Sequence, residues 1–299
     1  MTSNDDSEKI EIQKGEKMLL EFQNNHMYNI IEESKIVTEC GALYKAQDLE
    51  FNRTIAIKVV DIQGENKNEK KLSYEKAYSE VRAMVSLGEE NLPIPSVYTT
   101  YYDDKESKLY IMMDWIKGDT LAAHMKEPEM NFLQWMIELC DILELMEKKH
   151  IYHKDIKPSN IMIDGKGKLF LIDFNISISV PNLVEGTINY KAPEMAPNSK
   201  YVGREKTDMF SIGVMLYEYY TGNVPVRGSE YAKNRSRGAY EWDKFTSPKE
   251  KNNAICDDVE AIILKCMKLD PKQRYRNYAD LKWALEKALR GIRWAQKKK

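Results

Sequence analysis

The chain has 299 residues, enough for one large domain or two smaller lobes with a real core, and its 42% hydrophobic and 31% charged content is ordinary for a globular protein. Its 45 Lys and Arg against 47 Asp and Glu leave a net charge of −2, which argues against nucleic acid or a membrane surface as the main partner. No window reaches about 18 consecutive apolar residues, and the polar opening MTSNDDSEKIEIQKGEK has no apolar signal core, so neither a transmembrane segment nor a secretory leader is expected.

In chain order, residues 1–25 are polar and read as a loosely ordered lead-in. Residues 28–60 read as strands, with RTIAIKVV at 53–60 alternating as a half-buried strand should. Residues 62–71 read as a loop, and SYEKAYSEVRAMVSLG at 73–88 as a helix capped by Ser73 and Gly88. Its Ala77, Glu80, Met84 and Leu87 fall on one face. Residues 95–116 give two more strands about the turn YDDKESK. A long helix over 132–147 aligns Phe132, Trp135, Met136, Leu139, Ile142, Leu143 and Met146. Short strands at 160–163 and 168–173 flank the turn DGKG. Helices follow at 207–221, ending at Gly222, at 257–268 and at 277–290. Cys40, Cys140, Cys256 and Cys266 are far apart, lack metal-ligand spacing and suit a reducing, cytoplasmic setting.

Some charged residues sit where burial is expected. Lys58 lies within an apolar strand and Glu80 on the inward stripe of the next helix; each makes sense if they pair, and a lysine so held can grip phosphate oxygens. In YHKDIKPSNIMI, Asp155 and Asn160 stand five apart with Lys157 between them, and Asp173 follows in the apolar run LFLIDF. An Asn and an Asp brought together by a strand hairpin offer hard oxygen ligands that suit Mg²⁺ beside substrate phosphates. Metal, phosphate-binding lysine and an orienting carboxylate are the parts of phosphoryl transfer.

With these motifs in order, the chain resembles the eukaryotic-type (Hanks-type) protein kinases, Ser/Thr branch, over roughly residues 28–290. AIK at 56–58 resembles the family's strand lysine and Glu80 its helix partner; HKDIKPSN at 153–160 the catalytic loop; DFN at 173–175 the metal-binding triplet; APE at 192–194 the end of the activation segment. TDMFSIG at 207–213 resembles the helix that anchors the catalytic loop, and Arg274 the arginine that pairs with Glu194. The resemblance implies an α+β bilobal fold, a small antiparallel-sheet lobe plus a larger mainly helical lobe, with ATP and Mg²⁺ as cofactors. It divides the chain into the lead-in 1–25, an N-lobe and hinge over 26–116, a C-lobe over 117–290 and a basic tail over 291–299.

The implied roles follow residue by residue. Asp155 steers the substrate hydroxyl, Lys157 lies near the γ-phosphate, and Lys58, held by Glu80, binds the α/β-phosphates. Asn160 and Asp173 hold Mg²⁺. Ile36, Gly41, Leu43 and Ala56 lie against the nucleotide, with Met113 as gatekeeper and Asp114, Trp115 and Ile116 as a hinge offering backbone groups to adenine. His153 is scaffold rather than base. Lys157 two residues after Asp155, and GTINYKAPE with Thr187 placed to bond Asp155 and Lys157, are the Ser/Thr form, so the expected substrates are Ser and Thr hydroxyls of proteins.

Departures are equally specific. IVTECGAL at 36–43 aligns with the glycine-rich loop, but Ile36 and Thr38 replace its first two glycines, implying weaker ATP binding. Lys154 stands where the family has arginine, and the segment from Asp173 to Glu194 is short, so activity is expected without obligatory activation-loop phosphorylation at Ser177 or Ser179. Asn175, in the glycine position of the triplet, tolerates a left-handed turn. The alternative is a pseudokinase or scaffold with weak nucleotide binding. A small-molecule kinase is disfavoured by the APE segment and the Glu194–Arg274 pair. Cys40 reads as an incidental thiol, AKNRSRG at 232–238 as a solvated loop, and GIRWAQKKK as a frayed helix end, with partner or anionic-surface binding as the minor reading.

Overall fold

A computed structural model of the chain describes residues 18–22, 26–38, 40–174, 188–195, 205–225 and 245–298. Asn175, Ser177, Ser179, Thr187 and the run 232–238 lie outside the described residues. Two units are distinguished by their internal contacts, Met1–Glu90 with Pro95–Ile116, and Asn91–Ile94 with Lys117–Lys299.

The first unit carries a six-stranded antiparallel sheet in the order β1-β2-β3-β4-β6-β5. Its strands are β1 (Met18–Phe22), β2 (His26–Thr38), β3 (Gly41–Asp48), β4 (Arg53–Asp61), β5 (Val97–Asp103) and β6 (Lys108–Asp114). Helix α1 (Lys67–Gly88) falls between β4 and β5. Alternation along β4 serves both faces. Ile55, Ile57 and Val59 pack with Tyr28, Ile30, Ala46, Tyr110 and Met112. Val60 packs on the other face with Ile62, Leu109, Ile111 and Val81 of α1, and alternation puts Lys58 on that helix side.

Gly41 opens β3 at φ 147°, and a Cβ there would stand 2.1 Å from the Val59 carbonyl oxygen. The strand-to-strand approach therefore demands glycine at this one position of the eroded loop. At the other end of β3, the Asp48 side chain is buried and well answered. His26 Nε2 lies 2.8 Å from Oδ1, the Glu50 and Phe51 amides each donate to Oδ1 at 3.2 Å, and Arg53 Nε donates to Oδ2 at 3.0 Å. Burial raises its pKa, but the bonds from His26, Phe51 and Arg53 prevail and hold it below the ordinary carboxylate value.

The first unit differs from the sequence reading in three places. Residues 18–22 form a strand rather than part of a loose lead-in, because MLLEF is apolar enough to add an edge to β2. Helix α1 starts at Lys67, inside the expected loop; Asn66 is its N-cap, its side chain accepting from the Asn68 and Glu69 amides, while Ser73 lies within the helix and accepts from the Gln63 amide. The polar first turn 67–71 carries no apolar period, so hydrophobic patterning could not find it. Gly88 is the last helical residue and Glu89 the C-cap in ordinary helical geometry, not a left-handed glycine.

The second unit is mainly helical. Helix α2 (Glu129–Lys148) buries Phe132, Trp135, Met136, Leu139, Ile142, Leu143 and Met146, the stripe expected from sequence. A three-stranded sheet, β7 (Gly118–Thr120), β8 (Ile161–Asp164) and β9 (Leu169–Leu171), runs antiparallel in that order. Then come α3 (Thr207–Thr221), α4 (Pro248–Lys251), α5 (Asp257–Cys266) and α6 (Tyr278–Gln296). Helix α3 is apolar on nearly all sides and buried accordingly, ending on Gly222 at φ 75°. It packs on α5, and α2 packs on α6. Helix α6 continues past residue 290 to Gln296, so the GIRWAQ stretch is the helix end that the sequence suggested.

One ion pair ties the short turn Pro193–Met195 into this helical body. The Glu194 and Arg274 side chains are both 0% exposed. Arg274 donates Nη1 and Nη2 to the two Glu194 oxygens at 2.6 and 2.7 Å, Nε to the Lys268 carbonyl at 2.9 Å, Nη1 again to Lys206 O at 2.9 Å and Nη2 to Leu269 O at 3.4 Å. All five guanidinium N–H groups are thereby answered, and Thr207 Oγ1 donates to Glu194 Oε1 at 3.2 Å.

Two outcomes follow. Arg274→Lys keeps the charge but loses the fork, and is expected to lower the unfolding free energy by about 3 kcal/mol or more; a loss below about 1 kcal/mol in urea unfolding contradicts this account of the pair. The depressed Asp48 pKa contributes stability that is present above its unfolded value near 4 and lost as pH falls through the lower folded value. Asp48→Asn should therefore flatten the acid limb of the stability–pH curve, and an unchanged slope would count against it.

Candidate active site

In the first unit, Lys58 and Glu80 meet. Lys58 Nζ donates to Glu80 Oε1 at 2.7 Å, with the two side chains 12% and 9% exposed. The strand period turns Lys58 toward α1, and Ser79, Val81, Ala83 and Met84 bury the adjoining helix surface. A pair this dry must be mutual, since removing one partner leaves the other charge uncompensated. Ala56 is 3% exposed beside it on β4. Leu43 is half-buried opposite Lys58 in the β3–β4 register.

Strand β2 carries its ladder to the tip. Ile36 pairs with Leu43 and Thr38 with Gly41, so the two residues that replace glycines are ladder residues. Ile36 and Val37 are 52% and 77% exposed.

At the far end of β6, Met113 is half-buried while Met112 is core at 1% exposure. Asp114 carries a constraint that sequence reasoning missed. Its amide donates to Ser96 O at 3.0 Å, and its carboxylate accepts from the Ser96 amide at 2.9 Å and from the Tyr98 hydroxyl. Of the backbone groups expected to serve adenine, the Asp114 N–H is thus already engaged, leaving that residue its carbonyl. Burial, with the Asp114 carboxylate beside it, pushes the Tyr98 pKa up to about 12. A carboxylate closing an apolar strand was the available signal; its partners on β5 were not readable.

In the second unit, Asp208 organises the loop after α2. It lies in the first turn of α3, 2% exposed, and accepts the His153 amide on Oδ2 at 2.8 Å and the Lys154 amide on Oδ1 at 2.6 Å. To present both amides the chain turns left-handed at Lys154, φ 63°. Burial pushes the Asp208 carboxyl up, while His153 and the two amides pull it back. His153 is fully buried and donates Nε2–H to the Ile172 carbonyl at 3.1 Å, with its ring 5.2 Å from that of Phe174. That is the scaffold arrangement expected of it.

Asp155 is then clasped from two sides. Asn160 Nδ2 donates to both the Asp155 carbonyl, at 2.9 Å, and carboxylate Oδ2, at 3.0 Å. Lys157 Nζ lies 2.8 Å from the same Oδ2. The Asp155 and Lys157 side chains are 12% and 18% exposed. The Ile172 amide donates to Asn160 O at 3.0 Å, and Leu171 N to Pro93 O at 3.0 Å, which fixes the exit from β9 beside Asn160. Strand β9 ends at Leu171, two residues earlier than the sequence reading, and Asp173 stands outside it at φ 60°. That left-handed turn takes Asp173 out of the strand alternation.

These groups fit a magnesium ion. The Asn160 amide nitrogen is spent on Asp155, so the amide oxygen is the end that can meet a cation, and Asp173 adds a carboxylate. Among the described residues no group of three or more His, Cys, Asp or Glu side chains gathers as a metal cage. Two oxygen donors supplemented by phosphates and water are the ordinary terms for Mg²⁺.

The chain is 30% identical over 256 residues to a probable serine/threonine-protein kinase of Clostridium perfringens, covering 82% of this chain and 36% of that protein. It is 28% identical over 271 residues to serine/threonine-protein kinase PrkC of Bacillus subtilis, covering 86% of this chain and 40% of that protein. It is 31% identical over 206 residues to the Aurora kinase of Saccharomyces cerevisiae, covering 66% of this chain and 53% of that protein. The chain thus spans well under two thirds of the length of these relatives. A sequence profile of the protein kinase domain matches residues 38–283, most of the chain, and the chain belongs to that family.

Proposed function

We propose that the chain is an ATP-dependent protein serine/threonine kinase. The observation that carries this is the clasp on Asp155, one carboxylate oxygen held by Asn160 and by Lys157. A carboxylate fixed this way keeps one orientation toward an incoming hydroxyl and can accept its proton as the phosphoryl group departs from ATP. Lys58, braced by Glu80, takes the α/β-phosphates, and Lys157 sits against the γ-phosphate. Asn160 and Asp173 would hold Mg²⁺, which when bound would supply charge neutralisation to the phosphates. Ile36, Gly41, Leu43, Ala56 and Met113 wall the nucleotide, with the Asp114 carbonyl and Ile116 backbone toward adenine. The acceptors are Ser and Thr hydroxyls of protein substrates. The names printed for the bacterial relatives, serine/threonine-protein kinases, support the same reading.

A scaffold with weak nucleotide binding is the second reading, favoured by one observation: Ile36 and Thr38 continue the β2 ladder where glycines would let phosphate approach. The intact Lys58–Glu80 pair and Asp155 clasp weigh against it. Lys154 presents its backbone to Asp208 and lacks an arginine fork, supporting activity without activation-loop phosphorylation. Four cysteines far apart in the chain and without metal-ligand spacing support a reducing, cytoplasmic setting. Among the described residues no helix is long and apolar enough to cross a membrane.

Transfer of labelled phosphate from Mg·ATP to a Ser/Thr peptide mixture should fall about 10²–10⁴-fold in Asp155→Asn, and equal signal in wild type and variant overturns the enzyme reading. Ser177→Ala and Ser179→Ala should each retain activity; loss in either folded variant contradicts independence from loop phosphorylation.

A further inference from the structure

Helix α6 has two faces of different character. Tyr278, Leu281, Leu285, Ala288 and Leu289 are buried, and the helix packs on α2 and α5 through that side. On the opposite side Trp283 and Trp294 are each 62% exposed. Eleven residues of α-helix is close to three turns, so the two indoles lie on one line, roughly 16 Å apart. Lys287 and Arg290, 54% and 62% exposed, fall between them on the same line, and Lys297 and Lys298 follow. Past Leu289 every described residue except Ile292 is exposed, so the last two turns leave the core.

The charge is one-sided. Residues 282–298 hold Lys282, Lys287, Arg290, Arg293, Lys297 and Lys298 against one acid, Glu286. Part of this charge is answered within the chain: Lys287 pairs with Asp258 at 2.8 Å, Lys282 with Asp141 at 2.5 Å and Arg290 with Glu286 at 3.7 Å. The Lys298 ammonium lies 3.6 Å over the Trp294 ring centroid, so the outermost indole is itself bracketed by positive charge. The net charge of −2 for the whole chain conceals this separation.

We infer that the outer face of α6 docks on an anionic phospholipid surface. Two exposed indoles on a line, interleaved with cations, match the chemistry of a bilayer interface: the rings reach the headgroup–acyl boundary while Lys and Arg meet lipid phosphate. An acidic protein groove would match the cations but has less use for two indoles three turns apart on an otherwise polar face. A cleft of about 410 Å³ between α5 and α6, walled by Ile262, Tyr275 and Trp283, adds apolar wall at the inner end of the stripe, its Lys265 and Lys287 balanced by Asp258 and Asp280. The inference does not depend on the kinase reading, since none of these residues belongs to the proposed catalytic groups.

The test is cosedimentation of the 299-residue chain with sucrose-loaded vesicles. Vesicles of phosphatidylcholine with about 30% phosphatidylserine should carry the protein down and pure phosphatidylcholine should not, with binding falling as salt is raised. Lys297→Ala/Lys298→Ala should weaken binding by roughly thirtyfold, and Trp283→Ala/Trp294→Ala should abolish it while leaving the melting temperature and peptide phosphorylation at the wild-type level. Failure of the wild type to sediment, equal binding to both vesicle types, or full binding by the tryptophan variant each overturns the inference. Retention on an immobilised acidic polypeptide without vesicle binding assigns the stripe to a protein partner and also overturns it.

Discussion

Burying charge is what the site depends on. A carboxylate or ammonium removed from water is tolerable only when another group answers it at once, and this chain does so repeatedly. Lys58 answers Glu80, Arg274 answers Glu194, and Asp208 draws in two backbone amides. Each answer joins distant parts of its unit: Glu194 and Arg274 are 80 residues apart, His153 and Asp208 55. The charges therefore act as position-setters as well as chemical groups.

The consequence for Asp155 is geometric. Asp208 fixes the two residues immediately before it, and the left-handed turn at Lys154 delivers the aspartate at one angle. Asn160 and Lys157 then hold its carboxylate from the far side. A carboxylate placed by three independent restraints has little freedom left to lose, which is what preorganisation means in physical terms. The same economy shows in Asn160, whose one amide nitrogen serves the Asp155 carbonyl and carboxylate together.

The departures from the family pattern are local and have physical explanations. Gly41 remains because β4 leaves no room for a Cβ, whereas Ile36 and Thr38 sit in ladder positions that favour β-branched side chains. Replacing the first two glycines thus keeps the hairpin and alters only what it presents to phosphate. The exposed stripe of α6 is a different matter, since packing alone gives no reason for two indoles in water.

Sequence alone determined the family, because motif spacing is written in residue types, and the Lys58–Glu80 pair and the apolar stripe of α2 were legible in it. It also determined Gly222 as a helix stop, since only a left-handed cap favours glycine there. Tertiary structure decided what depends on partners distant in the chain. It placed the start of α1 at Asn66, where a side-chain cap replaces hydrophobic period, and engaged the Asp114 amide with Ser96. It supplied five acceptors to Arg274, three of them backbone carbonyls that no residue code reveals. It put a left-handed turn at Asp173, and it separated the faces of α6 into one that is buried and one that is not. Residue type sets what a group can do; only the fold sets which groups it meets.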